Sequence, residues 1–160
     1  MPLEIVRNDI TRMHVDAIVN AANRHLTVSG GVTGAIHKAA GPELLAECMK
    51  LGGCQVGEAK ITLAYRLPSR YVIHTVGPVW QGGSQGERDA LVSCYYHSLK
   101  LAVEKHCHSI AFPMLATGAH GYPKEQALKI ATDTISDFLL HHVPDNDLMV
   151  YLVTFTKESL

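Results

Sequence analysis

Apolar residues recur along this chain at two spacings. Leu3-Glu4-Ile5-Val6-Arg7 and Ala59-Lys60-Ile61-Thr62-Leu63 alternate with period two, which predicts half-buried or edge strands. Asp16–Asn20, Tyr71–Val76, Ser109–Pro113 and Leu148–Val153 are nearly continuous apolar runs and predict central strands covered on both faces. Helical spacing takes over between them. Leu91, Cys94, Tyr95, Leu99, Ala102 and Val103 share one face of a segment from about Gly86 to His106. Ala127, Leu128, Ala131, Ile135, Phe138 and Leu139 do the same from about Pro123 to His142, with Lys129, Asp133 and Asp137 outside. Pro123 suits a first helical turn. Shorter helices are predicted over Gly31–Ala40 and Pro42–Leu51, the second stopped by Gly52-Gly53.

Strands alternating with helices predict an α/β fold: a three-layer α/β/α sandwich around a central mixed, mostly parallel sheet. The chain's 160 residues fit a single domain over positions 1–160, without internal repeats or low-complexity tracts. Ligands of such sheets sit outside the carboxyl ends of the strands.

Composition narrows the partners. Hydrophobic residues make up 47% and charged residues 18%, so composition does not favour disorder. Fourteen Lys and Arg against 15 Asp and Glu leave a net charge of −1, with no broad basic field for duplex DNA. Three Phe, six Tyr and one Trp show no stacking pattern for a single-strand channel, so nucleic acid is not expected as a partner. No run approaches the ~20 apolar residues of a membrane span, and MPLEIVRND has no apolar h-region. The sequence therefore reads as soluble, unexported and cytoplasmic, or nuclear in a eukaryote. Cys48, Cys54, Cys94 and Cys107 form no C-x-x-C pair and are expected to be reduced and mostly buried. His106-Cys107-His108 lacks a second pair at zinc-like spacing, so no metal and no cofactor are expected.

Two glycine-containing loops each follow an apolar strand and precede a helix. The first runs from Asn20-Ala21-Ala22-Asn23 through Ser29-Gly30-Gly31-Val32-Thr33-Gly34, and the second is Ala116-Thr117-Gly118-Ala119-His120-Gly121-Tyr122. Glycine lets backbone amides approach a ligand, and a helix N-terminus adds partial positive charge. Neither loop is a Walker sequence or a G-x-G-x-x-G fingerprint. Two of them at matching places on one rim still suit a diphosphate cradle without lysine or arginine, which points to a nucleotide-like ligand.

These segments resemble the macro domain family, in its bacterial and MacroD-type ADP-ribose-hydrolase branch. The resemblance runs from about Ile5 to Val153. Five ordered stretches carry it: Asn8-Asp9-Ile10-Thr11, Asp16 through Asn23, Gly30 through His37, Tyr71 through Pro78, and Thr117 through Pro123.

The resemblance implies a role for each matching residue. Asp9 would accept from the adenine 6-amino group, with Ile10 beside the base; without the resemblance, Asp9 reads equally as an N-cap or turn residue. Gly30, Gly31 and Val32 with the backbone of Thr117, Gly118, Ala119, His120, Gly121 and Tyr122 would clasp the phosphates. Asn20 would fasten the first loop. Asn23 would hold the distal ribose and a water, although loop asparagines also bond their own backbone. Tyr122 would close over the distal sugar or serve as a core tyrosine. His37, about one turn beyond the loop, would lie near the site or fill a structural position.

The first loop departs from the family pattern Gly-Gly-Gly-Gly-Val-Asp-Gly. Here the run is Val28-Ser29-Gly30-Gly31-Val32-Thr33-Gly34. Threonine can orient a water but is no general base at neutral pH, and losing a positioned base costs ~10²–10⁴ in rate. The expected function is ADP-ribose binding with metal-free hydrolysis of mono-ADP-ribosyl protein or O-acetyl-ADP-ribose, using Asn23, Thr33 and His37. The alternative is a reader that binds ADP-ribose or ADP-ribosylated protein without turning it over.

Overall fold

A computed structural model describes residues 2–145 and 147–154. Strands β1 (Leu3–Arg7), β2 (Ala17–Ala21), β3 (Ala59–Leu63), β4 (Tyr71–Thr75), β5 (Ser109–Pro113) and β6 (Met149–Thr154) alternate with four α-helices. The helices are α1 (Gly31–Ala40), α2 (Pro42–Met49), α3 (Glu87–Glu104) and α4 (Lys124–His142). The expectation of one domain over 1–160 includes positions 1, 146 and 155–160, which lie outside the described residues.

The strands form one sheet in the order β1-β6-β5-β2-β4-β3, and only β3 runs antiparallel to its neighbour. The two alternating segments are its edges and the continuous apolar runs its interior, as their patterns require. Side-chain alternation divides the core. Ala17 and Val19 point with Ile73 into the layer of α3 and α4, while Ile18 and Val72 point into that of α1 and α2.

Element boundaries shift by one or two residues for local reasons. Asp16 precedes β2 and spends its carboxylate on the His108 amide at 2.6 Å. Pro123, with ψ of 127°, sits just before α4 as its N-cap and not inside the first turn. Asp9 caps a short 3-10 helix, Ile10–Arg12, whose three residues are too few to carry a periodic signal.

One feature of the sheet positions the site. The β2–β5 ladder holds only Ala17–Ile110 and Ile18–Ala111, whereas the β2–β4 and β5–β6 ladders each run for five pairs. Beyond Ile18 and Ala111 the two strands are unpaired with each other toward their carboxyl ends. β2 then leads to α1 on one face and β5 to α4 on the other, so a topological switch point lies between them.

No helix among the described residues is long and apolar enough to cross a membrane. Nor do any described His, Cys, Asp or Glu residues form a group able to hold a metal ion. All four cysteines are free and buried.

Candidate functional site

A cleft of about 530 Å³ opens at the switch point. Gly31 and Val32 from the first loop, Thr117 and Gly118 from the second, Ile10 after β1, and Lys124 at the start of α4 all line it. Of the residues that line it, Ile10, Gly31, Val32, Thr117 and Gly118 belong to the sequence-predicted set, whereas Asn23, Thr33 and His37 do not line it.

The chemistry of the cleft is mainly that of backbone donors. α1 and α4 both begin without a side-chain cap, so their first amides have no acceptor on their own helix. α2 and α3 also start uncapped, but only α1 and α4 contribute residues to this cleft. The second loop is closed by three bonds: Thr117 Oγ1 to Met114 O at 2.9 Å, Tyr122 N to Ala116 O at 2.9 Å and Gly121 N to Gly118 O at 3.0 Å. Among the described residues, the amides of Thr117, Gly118, Ala119 and His120 find no protein acceptor. Four such donors beside two helix starts make a site for anionic oxygens.

Glycine is needed here for two different reasons. Gly31 opens α1 at φ +66°, a left-handed conformation that strains other residues. Gly118 has an ordinary φ, and a Cβ there would meet nothing within 4 Å. Its lack of a side chain leaves the loop amides open to the cleft.

Asp9 and Ile10 sit at one end. Ile10 is buried yet lines the cleft. Asp9 Oδ1 accepts from Thr11 N at 3.0 Å and Thr11 Oγ1 at 2.7 Å, while Oδ2 lies 3.6 Å from Arg12 Nε. The N-cap alternative is therefore realised, and the second oxygen keeps acceptor capacity.

The residues expected to do chemistry are arranged differently. Asn23 is turned onto its own loop: Nδ2 donates to Thr27 O at 3.0 Å and Thr27 Oγ1 at 3.1 Å, and Oδ1 accepts from His25 N at 3.0 Å. Thr33 is only 3% exposed, and its hydroxyl accepts from Asn20 Nδ2 at 3.3 Å. It faces the sheet and not the cleft because it follows Gly31 and Val32 onto the inner side of α1. Asn20, 1% exposed, lies under the helix on β2, so it fastens α1 to the sheet. His37 is also buried, neither ring nitrogen has a hydrogen-bond partner among the described residues, and burial lowers its pKa. Tyr122 takes the core alternative, 3% exposed with its ring centroid 4.7 Å from that of Trp80. His120 contributes its carbonyl to Trp80 N at 2.8 Å.

The structure adds residues that the glycine pattern did not indicate. Met114 and Lys124 flank the second loop, and Val153 and Thr154 bring the end of β6 to the cleft. The carboxyl-end rule for parallel strands is the signal that could have included them.

Known proteins resemble this chain in sequence and in fold. The Macro domain family model matches residues 19–131. The O-acetyl-ADP-ribose deacetylase of Citrobacter koseri is 48% identical over 98% of this chain and 90% of its own. The ADP-ribose glycohydrolase MACROD2 of Xenopus laevis is 50% identical over 92% of this chain and 35% of its own. A glycine-to-valine variant of the Oceanobacillus iheyensis macrodomain, solved with ADPR, superposes with a TM-score of 0.91 at 43% identity, covering 98% of this chain and 87% of that one.

Proposed function

The chain belongs to the macro domain family, and from that premise we propose that it binds ADP-ribose in the cleft and hydrolyses its ester link to a protein carboxylate or an acetyl group. One observation carries this reading: unpaired amides of the second loop and the uncapped starts of α1 and α4 meet where β2 and β5 part. They suit a pyrophosphate that brings no counter-ion of its own. Adenine would lie beside Ile10, its 6-amino group donating to Asp9, and the distal ribose would extend toward Asn23.

In this scheme water supplies the nucleophile. For a modified carboxylate, the water oxygen bonds to the anomeric carbon of the distal ribose as the acceptor oxygen leaves with its electron pair. For the acetyl ester, water adds to the carbonyl carbon and the ribose oxygen departs as a hydroxyl, taking the proton that the diphosphate accepted from water. The water proton passes to a diphosphate oxygen of the substrate, since Thr33 supplies no base. Asn23 would exchange its Thr27 bonds for the ribose hydroxyls, and the amide cradle would hold the geometry.

A reader without turnover is the second reading, favoured by the Thr33 hydroxyl being sealed against Asn20. Calorimetric titration of wild type, Asp9→Ala and Asn23→Ala with ADP-ribose, followed by incubation with a mono-ADP-ribosylated acidic protein and O-acetyl-ADP-ribose, separates the possibilities. Binding by wild type that weakens in both variants, with release faster than in buffer, is the expected result. Binding without release leaves the reader; no binding ends both.

A further inference from the structure

Behind the Asn23 loop lies a second cleft of about 820 Å³, which shares no lining residue with the first. Arg24, His25 and Thr27 contribute from the loop, and Met49, Gly52 and Gln55 from the end of α2 and the segment after it. The two sides are joined by Cys54 N donating to Arg24 O at 2.9 Å.

The charges here are unbalanced. Among the described residues, no carboxylate lines the cleft. The nearby acids are bonded to neutral donors and not to these cations: Glu47 accepts from Leu63 N and Tyr65 OH, and Glu58 from Gln55 N. Lys60 is occupied by the carbonyls of Leu51 and Gly53. Arg24 is exposed and, among the described residues, its guanidinium has neither an ion pair nor a hydrogen bond. Lys50, exposed beside Met49, is in the same state. Arg24 and Lys50 therefore stand at this cleft as cations without a carboxylate partner among the described residues.

We propose that this cleft receives an acidic segment of the protein that carries the ADP-ribose, laid along the Arg24 side of the Asn23 loop. The inference rests on the reading above, which puts the distal ribose at Asn23. An acceptor chain joined to that ribose leaves the first cleft past Asn23, and Arg24 and His25 are the next residues along the loop. Carboxylates flanking the modified side chain then meet cations that lack partners.

The test measures affinity, so it does not depend on turnover. Two peptides carry ADP-ribose through a hydrolysis-resistant amide link, one flanked by Glu and Asp and the other by Ser and Asn. Each is titrated, alongside free ADP-ribose, into wild type, Arg24→Glu and Arg24→Lys. Wild type should prefer the acidic peptide by about threefold, the scale of an exposed ion pair. The preference should vanish in Arg24→Glu, persist in Arg24→Lys and shrink in high salt. Free ADP-ribose should bind all three proteins alike, which also shows that the variants fold. Equal affinity of wild type for the two peptides, or a preference that survives Arg24→Glu, overturns the proposal. Failure of wild type to bind free ADP-ribose is a separate result that removes the ADP-ribose reading and this inference with it.

Discussion

Asn20 and His74 stand opposite each other in the parallel β2–β4 register, and Asn20 Nδ2 donates to His74 Nδ1 at 3.1 Å. An amide N–H can only donate, so Nδ1 is the acceptor and Nε2 carries the ring proton. Nε2 then donates to Thr62 Oγ1 at 3.0 Å, which in turn donates to Leu63 O at 3.0 Å. The chain of bonds requires a neutral imidazole. Burial, and next the neighbouring His37, push the His74 pKa down to about 3.

Acid should therefore weaken the fold through this residue. Unfolded, His74 titrates near 6.5, so protons favour the unfolded chain. Its stabilisation is complete above about pH 6.5 and is lost as pH falls toward 3, at up to ~1.4 kcal/mol per pH unit. His74→Gln should lower stability at pH 7 by about 1–3 kcal/mol, because buried groups lose partners. Its urea midpoint should also vary less with pH across that window than that of wild type. Parallel pH profiles for the two proteins would contradict the assignment.

The same chain explains what Thr33 does. Its hydroxyl takes the second Asn20 amide hydrogen, linking the start of α1 to the sheet. Thr33→Val should lower stability by about 1–3 kcal/mol through the unsatisfied donor. Turnover should fall less than the ~10²-fold lower bound for a lost acid–base group. Chemical denaturation and single-turnover assays on the same samples check both points. A hundredfold loss of rate with unchanged stability would restore Thr33 as a reacting group.

The contrast between these residues and the glycine loops marks what was legible in advance. Continuous apolar runs at Tyr71–Val76 and Ser109–Pro113 and the helical stripe of Ala127, Ala131 and Ile135 identify buried elements through spacing alone. Gly31 and Gly118 were readable because two glycine-containing loops occupy matching places, each between an apolar strand and a helix. The inward aim of Thr33 was not, since it depends on the angle at which α1 leaves its loop. Asn20 and His74 lie 54 positions apart, and only strand pairing makes them partners. Glu87 was missed for a similar reason. Burial alone would raise its pKa, yet the amides of Gln81, Gly83 and Gln85 hold it down to about 2, a role that no spacing announces.

Gly118 offers a test of the cradle free of folding effects. Because a Cβ meets nothing within 4 Å, Gly118→Ala should change stability by no more than about 0.5 kcal/mol. The new side chain would stand between the loop amides and a pyrophosphate. Losing one charge-assisted hydrogen bond, at about 1.5–3 kcal/mol, predicts ADP-ribose affinity roughly tenfold to hundredfold weaker. Calorimetry paired with a thermal melt gives both quantities. An unchanged affinity would place the diphosphate away from the second loop.

Asp9 has two duties that a single substitution can separate. As the cap of the 3-10 helix it holds Thr11, so Asp9→Ala should cost about 1 kcal/mol of stability whatever the ligand. As an acceptor for adenine it should also discriminate between purines. Replacing the 6-amino group by the hypoxanthine carbonyl sets an acceptor against the carboxylate, and the inosine analogue of ADP-ribose should bind wild type about tenfold more weakly. In Asp9→Ala that discrimination should nearly disappear, because no acceptor remains to favour a donor. Stability does not enter the ratio of two affinities measured on one protein, so the capping role cannot imitate this result. If the variant still prefers adenine by the wild-type factor, Asp9 only caps the turn and the purine is read by another group.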